Sequence, residues 1–583
     1  MSTSLPPWGR THRFLLLVVA GAMLSLGATS SAEAAPAPAS AGSSTSTPAS
    51  LPTLAVAEQE ADDLGPVAPS TLVSMTLTLK TRNTTALQTL VDEGGRVTPE
   101  QWVAQFGPPS NTFAALHRLL GLAGFESTWT PGDDLVSATG PAISAERLFH
   151  LDLHYFVLDH TMRFYAPLTV PTVPTELVGQ VTAVTGLDDY RGFSVPAIPR
   201  PESGLSPSEI SHYYDATPLR KAGLDGAGMT VMFIEEIAPS AAALSSYAAK
   251  FGLPPFAVKV HTDPNVWGPP ATASNPLWAN FSGEAAMDVE IVHGLAPAAR
   301  EVVYVDGYAN AVPQMVQTMV TQNPGAILSA SYTMGCEAIN EVKGTELAFN
   351  AVAMRAAAEG TSIFYATGDR GAFQCLNGGS ASAAGLLSID AGAASPYVTA
   401  VGGTSAFFSS KGNYYKEAVW GEPLETWGSG GGFSTAFKQP SYQVAPGLGR
   451  TTLSGRGVPD VACDADPDVS GWDIFTLSSP RGGVEEGASG GTSAATPCWA
   501  AMTALIDEDL KEQALPEIGF ANPALYDFSR DPVGMPATPF HIVTEGSNLH
   551  YLAAAGWTAA SGLGTPDVAH LADDFEWYER SKR

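Results

Sequence analysis

Positive charge is what this chain has least of. Against 58 Asp and Glu stand 29 Lys and Arg, a formal net charge of −29 over 583 residues. Neutralising phosphates needs clustered Lys and Arg, so nucleic acid and anionic membrane surfaces are excluded as partners. The same surplus of carboxylates suits an acidic compartment, where partial protonation relieves self-repulsion. Histidine is also scarce, 11 in all, which leaves few imidazoles to act as a base. Beyond the N-terminal region no stretch is long and apolar enough to cross a bilayer, so no stable membrane anchor is expected. Cysteine is limited to four residues.

What is present begins with Arg10, His12 and Arg13, an apolar run from Phe14 to Leu26, and the small-x-small site Ala32-Glu33-Ala34. This reads as a signal peptide over 1–34, with an uncleaved anchor as the alternative. An Ala/Pro/Ser-rich disordered linker is expected over 35–70. A small α+β domain follows over 71–190, with a strand-like run Leu72–Leu79 and a helical run Thr112–Leu122. A Pro-rich exposed linker spans 191–204. From 205 to 583 the chain alternates β-like runs (Met229–Ile234, Glu301–Val305, Ala326–Tyr332, Thr361–Tyr365) with helical ones (Val312–Thr321, Glu341–Ala358). Apolar strands separated by helices predict a doubly wound, mostly parallel α/β sheet with its site at the strand ends.

Gly491-Thr492-Ser493-Ala494-Ala495-Thr496-Pro497 places a small hydroxyl in a glycine turn before a buried helix. The N–H groups at such a helix start can hold an oxyanion; a plain helix cap is the commoner role. A nucleophile needs a base. Among the later histidines only His293 precedes a glycine, and it falls at the end of a helix rather than its start. It reads as a surface or C-terminal-turn histidine. One turn earlier Glu284 and Asp288 lie i and i+4, with their carboxylates on one helix face. Two such acids repel, yet they can share a proton and leave one as a usable base. A solvated acidic face is the competing reading, and Glu290 is assigned to it.

The pattern Gly283-Glu284, Asp288, Glu290, Gly294-x-Ala296-Pro297, joined to Gly-Thr-Ser-x-x-x-Pro, resembles the sedolisin (serine-carboxyl peptidase) family. Further similar segments are Tyr365–Asp369, Ser395–Thr404, Ser429–Ser434, Val458–Val461 and Gly556–Pro566, so the likeness runs from about Leu205 to Pro566. The resemblance implies a subtilisin-like fold and a Ser-Glu-Asp triad: Ser493 attacks, Glu284 takes its proton, Asp288 orients Glu284, and Asp369 completes the oxyanion hole. It implies substrate contacts from Ser429, Gly430, Gly431, Gly432 and Tyr332. Leu90–Phe106 is similar to the family's propeptide, so 71–190 is expected to be a pro-domain that blocks its own enzyme. The chain is then a monomeric, secreted or lysosomal/vacuolar, self-processing zymogen acting on polypeptides in acid, as an endopeptidase or a tripeptidyl-peptidase.

The resemblance also implies a disulfide between Cys336 and Cys375, both placed at neighbouring strand ends. Cys463 and Cys498 flank apolar segments and read as buried thiols, with a second bridge as the alternative. The family binds calcium near its C-terminus through two aspartates. Ile542 and Thr558 occupy those positions here, so no cofactor is expected. Two other functions compete. Gly487-Ala488-Ser489-Gly490-Gly491 satisfies the nucleophile-elbow pattern of lipases and esterases, with His541 or His550 downstream; the elbow needs a strand before its serine, and Pro480–Glu486 reads as a loop. A non-catalytic binding homologue is the other.

Overall fold

Alternate residues of the central strands enter different cores. In the strand Thr230–Glu235, Val231 and Phe233 join one buried cluster while Met232 and Ile234 join another. Arg300–Val305 behaves likewise, with Val303 and Val305 on one side and Val302 and Tyr304 on the other. A period of two with both phases apolar marks a sheet covered on both faces. In this computed structural model the described residues are 61–582 apart from 159–161, 169–171, 190–203, 265, 276, 306–310, 339–342, 377–384, 424–425, 445–452 and 531–532. The expected signal peptide, most of the 35–70 linker and most of the 191–204 linker lie outside them.

The sheet has nine strands. Six run parallel in the order Lys259–Thr262, Arg300–Val305, Thr230–Glu235, Ile327–Ala330, Ser362–Ala366 and Thr399–Phe408. Val461–Asp464 adds in parallel to the last, and Tyr414–Val419 pairs antiparallel with its far end. One face is covered by the helices Trp278–Leu295 and Thr492–Glu512, the other by Val312–Gln322 and Lys343–Ala358. The doubly wound arrangement expected from the sequence is present. Glu235, Ser331 and Asp369 all fall at the carboxyl ends of parallel strands, where open α/β sheets place their sites.

The N-terminal domain is α+β. Its four-stranded antiparallel sheet runs Glu126–Thr128, Leu135–Pro141, Leu72–Leu79, Val181–Thr185. The helix Pro99–Gln105 starts where the sequence demands it: Thr98 and Gln101 form a reciprocal capping box and Pro99 opens the first turn. One boundary shifts. Asp62–Pro66, expected within the disordered linker, is a strand paired with Leu153–Leu158, and Val67 is buried in the domain core. Leu87, Val91, Trp102, Phe106 and Leu135 of this domain share a buried cluster with Val316, Phe349 and Val352 of the peptidase domain.

Two further expectations change. Pro480–Glu486, read as a loop, turns into the strand Val484–Ser489, which pairs with Trp472–Leu477; Val484 packs beside Phe475, which closes the hairpin. Cys463 and Cys498, read as buried thiols, are bridged, as are Cys336 and Cys375. The former pair joins a sheet strand to the helix packed on it, two elements with no short chain connection to reveal the pairing. Among the described residues no helix is long and apolar enough to span a membrane.

Candidate active site

Gly491 adopts φ +93°, and a Cβ there would lie 2.7 Å from a carboxylate oxygen of Asp369. Only glycine therefore lets the turn approach that acid so closely. The helix Thr492–Glu512 follows, with Ser493 in its first turn and buried. The Thr492 N–H and hydroxyl both donate to Oδ1 of Asp369, at 2.8 and 2.9 Å, and the Gly368 N–H donates to the Thr492 hydroxyl. The strand end carrying Asp369 is thus bolted to the helix start carrying Ser493.

The acids come from the helix Trp278–Leu295, where Glu284 and Asp288 are both buried. Burial pushes the Glu284 carboxyl well above the usual carboxylate range, and the nearby Asp288 adds to the rise. The Ser493 hydroxyl lies beside Glu284 and works in the opposite direction. Neither Glu284 oxygen completes a hydrogen bond among the described residues, a loose geometry common where substrate is absent. Burial also raises Asp288, against the Ser331 hydroxyl, which donates to it at 3.0 Å. Asp369 is raised by burial too, opposed first by the Thr492 N–H and hydroxyl and then by Arg370. The four residues singled out from the sequence thus meet around one point.

Two further residues escaped the sequence reading. Glu235 closes its strand fully buried beside Asp288, and is raised well above the ordinary range by burial and by Asp288 and Glu284. Glu235-Glu236 directly after the apolar run Val231–Ile234 was the available signal, because acids at the end of a buried strand face the catalytic rim. Ser331 was the other, and nothing in its sequence context distinguishes it.

Several assignments need correction. Glu290 is buried rather than solvated, and accepts the Phe475 N–H at 2.8 Å. His293 is buried rather than on the surface; its Nε2 bonds the Pro254 carbonyl at 2.8 Å and its ring stacks on Phe256. Both follow from a helix covered on all sides from Phe281 to Leu295, where i+4 spacing no longer predicts an exposed face. Ser429, Gly430, Gly431 and Gly432, expected to touch substrate, are buried. Ser429 N–H goes to Trp420, Gly430 N–H to Gly368, and Gly432 pairs with Val458. They back the Asp369 strand end. Tyr332 is half-buried next to Ser331, packed against the core beside Tyr365. Ser489 is buried in the hairpin, while His541 stacks on Tyr414 and His550 against Phe373 and Tyr551, so the esterase arrangement is not assembled.

The Pro-kumamolisin activation domain family matches residues 59–190, and the Subtilase family matches 279–518. Kumamolisin of Bacillus sp. (strain MN-32) is 29% identical over 553 residues, covering 87% of this chain and 92% of that protein. Pseudomonas sedolisin (serine-carboxyl proteinase), solved in complex with two molecules of pseudo-iodotyrostatin, superposes with a TM-score of 0.53 at 27% identity over 65% of this chain and 98% of that one. The chain thus carries a Pro-kumamolisin activation domain ahead of a subtilase-like peptidase domain, and its homologues are kumamolisin, sedolisin and related serine-carboxyl peptidases. Tripeptidyl-peptidase 1 of Canis lupus familiaris is 34% identical over 238 residues, 37% of this chain and 38% of that protein.

The calcium ion of sedolisins does not fit the residues present. The Thr558 hydroxyl accepts from the Ala560 and Ser561 N–H groups at 3.3 and 3.1 Å and meets the Ser561 hydroxyl at 3.0 Å. Thr558 and Gly562 exchange both backbone hydrogen bonds. The Ala559 carbonyl is taken by Asn548 and the Ala560 carbonyl by Ser429. Ile542 is 44% exposed and apolar. The loop oxygens are committed to protein donors, and neither aspartate position carries a charge to recruit a cation.

Proposed function

We propose that this chain is a sedolisin-family peptidase that hydrolyses peptide bonds in acid through a Ser493-Glu284-Asp288 triad, with Asp369 in the oxyanion hole. The observation that carries the reading is the pair of buried acids one turn apart on a helix, beside a serine at the start of another. Ser493 Oγ adds to the scissile carbonyl carbon as its proton passes to Glu284. The oxyanion takes hydrogen bonds from helix-start N–H and from protonated Asp369, whose Oδ1 already accepts Thr492 and whose Oδ2 is left to carry the proton. Collapse breaks the C–N bond, and Glu284 returns the proton to the leaving amine. Water then repeats the sequence on the acyl-enzyme. Burial keeps Asp369 protonated in acid, the condition under which it donates.

The same reading makes residues 71–190 an inhibitory pro-domain, removed by self-cleavage within 191–204 after export through a signal peptide, and makes the mature enzyme a calcium-free monomer. Ser493→Ala, purified and acidified, remains at precursor length on this reading; normal self-cleavage by that variant would sink it. Mass spectrometry of products from one long unblocked peptide at about pH 4, near the ordinary carboxylate pKa, separates the two modes of cutting: tripeptides from the N-terminus, or internal fragments.

A further inference from the structure

Pro497 lies inside the helix that begins at Thr492. It has no N–H, so the carbonyl one turn earlier, that of Ser493 itself, loses its intrahelical partner. The Ser331 hydroxyl takes that place, reaching the Ser493 carbonyl at 3.1 Å. The same hydroxyl reaches Oδ1 of Asp288 at 3.0 Å. Ser331 is 9% exposed, so water does not substitute freely for either partner. We propose that Ser331 is a positioning residue that couples the protonation of Asp288 to the placement of the nucleophile, because one hydroxyl proton serves two acceptors.

The number of available hydrogens sets the coupling. A hydroxyl donates once and accepts twice. When Asp288 is ionised, the Ser331 proton turns to the carboxylate and the Ser493 carbonyl goes without. When Asp288 is protonated, its O–H donates to Ser331, whose own proton is released to the Ser493 carbonyl. Protonation of the acid pair therefore tightens the turn that carries the attacking oxygen. The groups that set this equilibrium are Glu284 on the same helix, and Glu235 and Glu236 at the neighbouring strand end, all acids that hold Asp288 toward its protonated form or share its proton. Arg370 lies on the far side of Asp369 and acts on that acid.

The inference rests on the triad reading, and the measurements separate the two. Ser331→Ala is expected to lower kcat at least tenfold with KM little changed. It should also move the acid limb of the kcat/KM profile to higher pH, because ionised Asp288 loses its donor. Ser331→Thr, which keeps the hydroxyl, should recover both, with melting curves confirming that each variant is folded. Pro497→Ala restores an N–H to the Ser493 carbonyl, so in that background Ser331→Ala should cost less in kcat, a coupling read from the double-mutant cycle. Wild-type kcat and an unmoved acid limb in folded Ser331→Ala overturn the proposal, as does strict additivity with Pro497→Ala. Full activity in Glu284→Gln would instead overturn the triad reading.

Discussion

Asp369 and Thr492 are joined twice, by the threonine's N–H and by its hydroxyl, both to one carboxyl oxygen. The paired contact fixes the acid against the turn that presents Ser493, with its second oxygen outside that contact.

Asn at position 369 keeps an N–H donor in the place of the acid's O–H. Asp369→Asn is therefore expected to retain more activity than Glu284→Gln, which removes the proton acceptor outright and should cost several orders of magnitude in kcat. In the wild type the rate should fall as Asp369 ionises with rising pH. Kinetics of the three proteins from pH 3 to 8 check this, and a wild-type maximum at pH 8 contradicts it.

The pro-domain seam should tighten in acid. Arg355 pairs with Asp133 across the seam at 3.0 Å and with Glu359 at 3.2 Å, and Asp134 lies beside them. One guanidinium faces three carboxyls. Burial raises all three, Asp134 to about 7, with Arg355 opposing and Glu100 adding to the rise at Glu359. A carboxyl raised on docking makes the docked state the better proton binder, so its contribution is complete below about 4 and lost as pH climbs through the raised value. In the Ser493→Ala zymogen, exchange of the Val97 and Leu135 amides, which bond Ala358 and Gln317 across the seam, should slow from pH 7.5 to 5 after correction for intrinsic rates. Asp134→Asn should give that protection at pH 7.5 already. Faster exchange in acid refutes it.

The same sign applies to the whole protein. Burial raises Glu417 and Asp507 to about 7 and Asp390 to about 6, so folding takes up protons in the window between about 4 and 7. Burial lowers His541 to about 4, and its stabilising effect runs the other way, lost as pH falls toward that value. The melting temperature of the Ser493→Ala protein should be several degrees higher at pH 5 than at pH 7.5, since a tenfold difference in a group's proton affinity between folded and unfolded chains is worth about 1.4 kcal/mol. A higher value at pH 7.5 counts against it.

Chelator should leave the melting temperature unchanged, and added calcium should not raise it, since a ligand stabilises only as far as it binds the native state. Thr558→Val removes an acceptor of two backbone N–H groups and should cost about 1–3 kcal/mol. A drop of several degrees on chelation would show that other oxygens bind the ion.

The strands were legible because each is apolar on both faces, and the acid pair because its spacing is shared with a whole family. Burial was not legible. Nothing local separates Glu290 in a helix enclosed from every side from the same residue on a wet face, and His293 was misplaced for the same reason. Ser331 and Glu235 act through partners distant in sequence, so their importance lies in the topology that brings strand ends together. The Ser429–Gly432 run was read for substrate contacts, and the sequence did not show how closely its glycines approach the backbone: a Cβ on Gly430 would lie 1.9 Å from the Thr367 carbonyl oxygen.

The Cys463–Cys498 bridge reaches into the helix that begins at Thr492, shortly after Ser493. Its partner lies in the strand Val461–Asp464, stitched into the sheet beside Thr399–Phe408. Before these thiols oxidise, the helix that carries Ser493 is held to the sheet by packing and by hydrogen bonds such as that from Trp499 Nε1 to the Ala462 carbonyl. Oxidation then locks that helix to the sheet. The bridge thus adds a covalent tie between the sheet and the helix on which Ser493 sits, across a sequence separation of 35 residues.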